Sequence, residues 1–168
     1  MHTAMTAIPL VDPAHAPLLA RPYLSPAGCS PLATALAHVP ELLETAMPFL
    51  GTLYGPTALP ARLKEILIVR LSALNGCRYC TRVHGALAAA AGLLPVEIAV
   101  LGGETEAVAT FAEQERAAIA FAEALSRHPA DSVALLRPHF RDDQIVELAL
   151  LGATTISLNR FCTAMGLS

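Results

Sequence analysis

Residues 65–92 read EILIVRLSALNGCRYCTRVHGALAAAAG, and the fold turns on the pair near the middle, Asn75-Gly76. Asn followed by Gly stops one helix and turns the chain into the next. Before it, Pro60 opens a helix that passes through Glu65 and reaches about Leu74. After it, a helix starts around the cysteines, runs Ala-rich to Ala91 and ends at Gly92. Two helices joined this closely fold back as an antiparallel hairpin.

The hairpin carries the chemistry. Cys77, Cys80 and His84 stand as C-x-x-C-x-x-x-H, and the pair accounts for half of the four cysteines in the chain. Residues three or four apart share a helix face, so both thiols and the imidazole are expected to line up. An imidazole beside a thiol takes its proton or stabilises the thiolate. Glu65 lies about 17 Å of helix rise before the turn and reaches the cluster only through the fold-back. Counting eleven residues either side of Gly76 sets Glu65 opposite Leu87, within a turn of His84. The expected order is Cys80, His84, Glu65, with the carboxylate orienting the imidazole and raising its basicity. A helix start lowers a thiol's pKa. Five of the eleven Lys and Arg residues, Arg62, Lys64, Arg70, Arg78 and Arg82, add positive charge around the pair, with Arg62 and Lys64 read as solvated.

Outward from the hairpin the helical pattern continues. Residues 1–29 hold Pro9, Pro13, Pro17, Pro22 and Pro26 and read as an extended arm lying over a neighbour or over the body. Residues 30–168 read as a single all-α domain. Ser30-Pro31 caps a short helix to about Val39, and Pro40 starts another, with Leu42, Leu43, Met47, Leu50 and Leu53 on one side, ended by Gly51, Gly55 and Pro56. Beyond the hairpin, Pro95 begins a short helix stopped by Gly102-Gly103. A longer one spans Glu106 to Ser126, with Val108 and Phe111 on its apolar side, and Pro129 follows it. Asp131-Ser132 begin a short helix to about Phe140, and Asp142-Asp143 open a last long helix ending at Gly166. No alternating strand pattern appears, so the expected fold is a bundle of seven or eight helices.

Composition narrows the partners. Hydrophobic residues make up 54 % and charged residues 15 %, and the mean hydropathy is +0.52. The longest uncharged stretch of the C-terminal half, Leu148 to Asn159, is too short to span a bilayer. The surplus apolar surface therefore points to a homo-oligomer rather than a membrane protein. A net charge of −3 without a basic stripe argues against nucleic acid. The N-terminus lacks a positive segment followed by an apolar run, so cytoplasm is expected. There, a close cysteine pair reads as catalytic or metal-binding rather than as a structural disulfide.

With these residues in view, the stretch resembles the signature of the carboxymuconolactone decarboxylase-like superfamily, in particular its alkyl hydroperoxidase D-like branch. The E-x11-C-x-x-C-x-x-x-H pattern carries the likeness. MPFLGTLYG before it and Asn159-Arg160-Phe161 in the last helix extend it over residues 40–166. The resemblance implies an all-helical subunit in a trimer or hexamer, with Cys80 the peroxidatic and Cys77 the resolving cysteine, and Glu65 and His84 the proton relay. One position departs: the best-known hydroperoxidases carry histidine just before the second cysteine, where this chain has Tyr79.

The leading expectation is a thiol peroxidase or disulfide reductase for a small hydroperoxide or disulfide, re-reduced by a dithiol protein. No flavin, haem or metal is implied. A lyase or hydrolase of a small lactone or keto acid would instead use His84 and Glu65 as acid and base, and a redox-sensing oligomer would show no turnover. Two inert thiols, or a zinc site of Cys77, Cys80, His84 and Glu65, are the plainer readings of the cluster. A zinc site usually draws on two separated ligand pairs. Tyr79 and Cys162 read as packing, and Asn159 and Arg160 as structural bonding across helices. His2, His15, His38, His128 and His139 share no spacing with other ligand types.

Overall fold

The Asn75-Gly76 turn closes as expected in the computed structural model of the chain, which describes residues 6–25, 29–105, 110–127 and 129–167. The described α-helices are α1 (Pro31–Leu36), α2 (Pro40–Tyr54), α3 (Ala61–Leu74), α4 (Arg78–Ala90), α5 (Pro95–Gly102), α6 (Glu113–Arg127) and α7 (Asp142–Ala164). Three short 3-10 helices, Pro13–His15, Leu18–Tyr23 and Pro129–Leu135, complete them, and no strand occurs among the described residues. The fold is all-α.

The turn is a Schellman ending. Gly76 takes a left-handed φ of 67°, which a side chain would resist. Its N–H donates to the Ala73 carbonyl at 3.0 Å, and the Cys77 N–H donates to the Ser72 carbonyl at 2.9 Å. Helix α3 becomes the central element. Leu63, Leu67 and Leu71 pack against Phe121 and Ala118 of α6 and Leu148 and Leu151 of α7. Ile66 and Val69 face Ala88, Leu93 and Leu101, around α4 and α5. The close approach of α7 to α6 depends on Gly152, where a Cβ would sit 2.5 Å from Leu125 Cδ2.

Helix α2 runs through two residues that usually interrupt helices. Pro48 has no N–H to give the Glu44 carbonyl, and the Tyr23 hydroxyl donates to that carbonyl instead, at 3.4 Å. Gly51 lies inside the helix, which ends at Tyr54, where Lys64 Nζ donates to the carbonyls of Leu53 (2.9 Å) and Gly55 (2.8 Å). Lys64 also pairs with Glu147 at 2.8 Å. The expectation of a solvated Lys64 is thus overturned: it is buried, and it neutralises the negative end of α2. Leu42 departs too, since it is 59 % exposed while Leu43 faces inward.

The arm is not simply extended. Its two 3-10 turns place Ala16, Ala20 and Leu24 against Ala33, Ala37 and Leu43 of the same chain. Residues 1–5 and 26–28, with Pro26, lie outside the described residues, as do His128 and residues 106–109 with Val108. Among the described residues the sixth helix begins at Glu113 rather than in the 106 region, because the Glu115 carboxylate takes the Ala112 N–H at 2.9 Å and caps it there. The segment expected as a helix from Asp131 is a 3-10 helix from Pro129 to Leu135. Helix α7, at 23 residues, is long and apolar enough to cross a membrane by length and composition, more than the uncharged stretch within it suggested. Its Leu148, Leu151, Thr155, Asn159 and Cys162 are buried within the protein.

Candidate active site

The hairpin brings Glu65 and His84 together as the residue count predicted. His84 Nδ1 lies 2.9 Å from Glu65 Oε2, with both side chains mostly buried. A carboxylate only accepts, so Nδ1 carries the hydrogen and Nε2 is the basic nitrogen. Tyr54 of α2 presents its ring edge-on to the imidazole, centroids 5.6 Å apart. Burial pushes the Tyr54 phenol well above its ordinary value, so it stays protonated.

The two thiols do not share one face with His84. Cys77 has extended backbone (φ −82°, ψ 90°) and is the N-cap of α4, not a residue within it, so helical periodicity does not apply there. Its sulfur accepts the Cys80 N–H at 3.3 Å. Cys80, in the first turn, lines an apolar cavity of about 300 Å³ together with His84, Tyr54, Asn159 and Cys162; Cys77 does not line it. Met47, Leu50 and Val83 form much of the apolar wall.

Cys162 arrives from α7 and packs against both members of the pair. Hydrogen bonds from the Cys162 and Cys80 thiols, with the Cys80 backbone N–H, pull the Cys77 thiol far below its ordinary value. At Cys80, a hydrogen bond with Cys162 lowers the pKa, but bonding to Cys77, burial and the Cys77 charge outweigh it and raise the thiol to about 11. Cys162 is pushed up by its bonds to Cys77 and Cys80 and by burial. The contacts thus favour ionisation at Cys77 over Cys80. Four of the five cations expected to assist have other partners, Lys64 among them. Arg62 pairs with Glu97 and Glu115 at 2.6 Å each, Arg70 pairs with Glu123 at 2.5 Å, and the Arg82 guanidinium lies 5.8 Å over the Tyr79 ring.

Among the described residues, no group of three or more His, Cys, Asp or Glu is placed to hold a metal ion. Asn159 bridges helices as expected, donating to Ser72 Oγ and accepting from Asn75 Nδ2, both at 3.1 Å. It also bonds the Cys80 sulfur, which favours the thiolate there. That contact, Tyr54 and Cys162 were missed in the sequence. A polar residue inside an apolar helix was the one signal that pointed to Asn159.

Residues 40–124 match the carboxymuconolactone decarboxylase family. The chain belongs to that family. The chain is 29 % identical over 108 residues to the uncharacterised protein YdfG of Bacillus subtilis (strain 168), covering 61 % of this chain and 73 % of that one. Two solved structures share the fold. A Ralstonia eutropha JMP134 protein, named an alkylhydroperoxidase AhpD core and uncharacterised peroxidase-related protein, aligns over 100 % of this chain and 93 % of its own, with a TM-score of 0.85 and 21 % identity. ATU0492 of Agrobacterium tumefaciens, a protein of unknown function described as a candidate antioxidant defence protein AhpD, aligns over 79 % and 93 %, with a TM-score of 0.70 and 24 % identity.

Proposed function

We propose that this member of the family is a thiol peroxidase acting in antioxidant defence, with Cys80 as nucleophile, Cys77 as resolving thiol, and His84 and Glu65 as the proton relay. The observation that carries this reading is the sharing of one apolar cavity by Cys80 and the Glu65-backed His84. Cys77, whose thiol is pulled down, does not line the cavity, whereas Cys80, whose thiol is raised, does. The need for a base beside Cys80 follows from that division, and the imidazole fills it.

The steps balance without another redox group. As the Cys80 proton leaves, its sulfur attacks the distal peroxide oxygen, the O–O bond breaks, and the leaving alkoxide takes a proton from the relay. The Cys77 thiolate then attacks the Cys80 sulfenic acid, the S–O bond breaks, and the hydroxide leaves as water with a proton from solvent. A dithiol reductant protein restores the pair by exchange. Tyr79 stands where a second histidine would be in the best-known hydroperoxidases. Burial raises its phenol, and the relay proposed here is His84 backed by Glu65. The same pair would serve a disulfide substrate small enough for the cavity.

The test is stopped-flow reaction of the reduced protein with an organic hydroperoxide, followed by thiol counting. Rapid loss of two thiols in the wild type, abolished in Cys80→Ser, is expected. Full turnover in Cys80→Ser would sink the proposal, and lactone turnover surviving replacement of both Cys77 and Cys80 would move the protein to the lyase reading.

A further inference from the structure

Three of the four cysteines converge, and the reaction above uses two. Cys162 lies 82 residues beyond Cys80 in the chain (162 − 80), yet α7 packs it into the same cluster as Cys77 and Cys80. It is 1 % exposed, which suits a core residue. It also lines the cavity beside Cys80, which an inert core thiol need not do. The remaining cysteine, Cys29, is elsewhere, with its thiol donating to the Ser25 carbonyl at 2.8 Å.

We propose that Cys162 is a third redox-active thiol of this centre, able to replace Cys77 as the disulfide partner of Cys80. The argument rests on the dithiol reading of the pair but not on peroxide as the oxidant. From the Cys80 sulfenic acid, the Cys162 sulfur attacks the Cys80 sulfur, the S–O bond breaks, and the hydroxide leaves as water with the Cys162 proton. From a mixed disulfide with a small thiol, Cys162 attacks the same sulfur and the small thiol leaves with the proton. In both cases Cys80 and Cys162 together lose two electrons. The thiol contacts that shift Cys80 and Cys162 in the reduced protein support this pairing. The consequence is protection: a Cys80 sulfenic acid that Cys77 fails to resolve still meets a thiol before a second peroxide carries it to the irreversible sulfinic acid.

The test uses the full-length Cys77→Ser protein equilibrated in glutathione redox buffers, then alkylated and digested with trypsin. Serine is itself a preferred N-cap, so α4 keeps its first-turn acceptor. Cleavage after Arg78, Arg82 and Arg160 releases Cys80 in the peptide Tyr79–Arg82 and Cys162 in Phe161–Ser168. The variant retains three thiols (four less one). The expected result is loss of two of them, a mass lower by two hydrogens, and those two peptides joined by a disulfide. Cys80 recovered as thiol or glutathione adduct, with Cys162 fully alkylated at every poise, would overturn the proposal. Should Cys77→Ser not fold by circular dichroism, Cys77→Ala is read the same way. Phe161–Ser168 linked to Tyr79–Arg82 supports the inference, and full alkylation of Cys162 at every poise sinks it. With organic hydroperoxide, Cys77→Ser should give the same linked peptides, and Cys77→Ser/Cys162→Ser should stop at a sulfenic acid trapped by dimedone. A wild type inert to peroxide but linked in glutathione counts against the peroxidase reading alone.

Discussion

The Cys77 thiol is pulled down and lies off the cavity, while the Cys80 thiol is raised and lines it, so the first thiolate absorbance to appear as pH rises should belong to Cys77. That ultraviolet band should persist far below the ordinary thiol range in the wild type and in Cys80→Ser, and vanish in Cys77→Ser. Because the folded pKa of Cys77 lies below its unfolded value, the stability from this ionisation is complete above the ordinary thiol range. It declines as pH falls toward the folded value. At the relay, Glu65→Gln keeps the shape and removes the charge behind His84. Its kcat with an organic hydroperoxide should drop about 10²-fold with KM little changed. The Glu65–His84 contact was legible because a tight turn makes counting along two helices sufficient. Cys162 was not, because only the crossing of α7 over the hairpin sets its neighbours, and in an apolar run a cysteine looks like packing. The N-cap role of Cys77 was hidden as well, since helical spacing holds only inside the helix.

The helices are tied by a few buried polar links whose loss should be measurable. Arg62 joins the starts of α3, α5 and α6 through Glu97 and Glu115, and Glu97 also accepts the Leu94 N–H at 2.7 Å. Its bonds to Arg62 hold the Glu97 carboxyl below the usual carboxylate range. A folded pKa below the unfolded one gives stability that is full above the unfolded carboxylate value and is lost as pH falls through the folded one. Arg62→Ala should therefore cost about 3 kcal/mol at neutral pH in urea denaturation, the low end for a pair that is not wholly buried. It should also remove part of the acid sensitivity. Gly152→Val should cost about 1–3 kcal/mol by overpacking against Leu125, with α7 forced off α6. The helix order could be read from prolines, glycines and periodicity. Gly51 misled because α2 stays helical through it, to Tyr54.

At the scale of the molecule, large apolar side chains remain outside: Leu42 and Phe49 on α2, Leu94 and Val96 at α5, and Val146 and Leu150 on α7. We expect copies of the chain to cover part of this surface. Light scattering should give a multiple of 17.6 kDa, and Val146→Glu with Leu150→Glu should reduce it if α7 is at the interface. The turn between α3 and α4 has a further consequence. The same residue that finishes one helix, through its N–H to Ser72, begins the next, through its sulfur to Cys80. Under the proposed reaction, each oxidation should draw the Cys77 sulfur away from the Cys80 N–H, and each reduction restore that bond. The exchange rate of the Cys80 amide hydrogen becomes a gauge of electrons, read on the backbone itself.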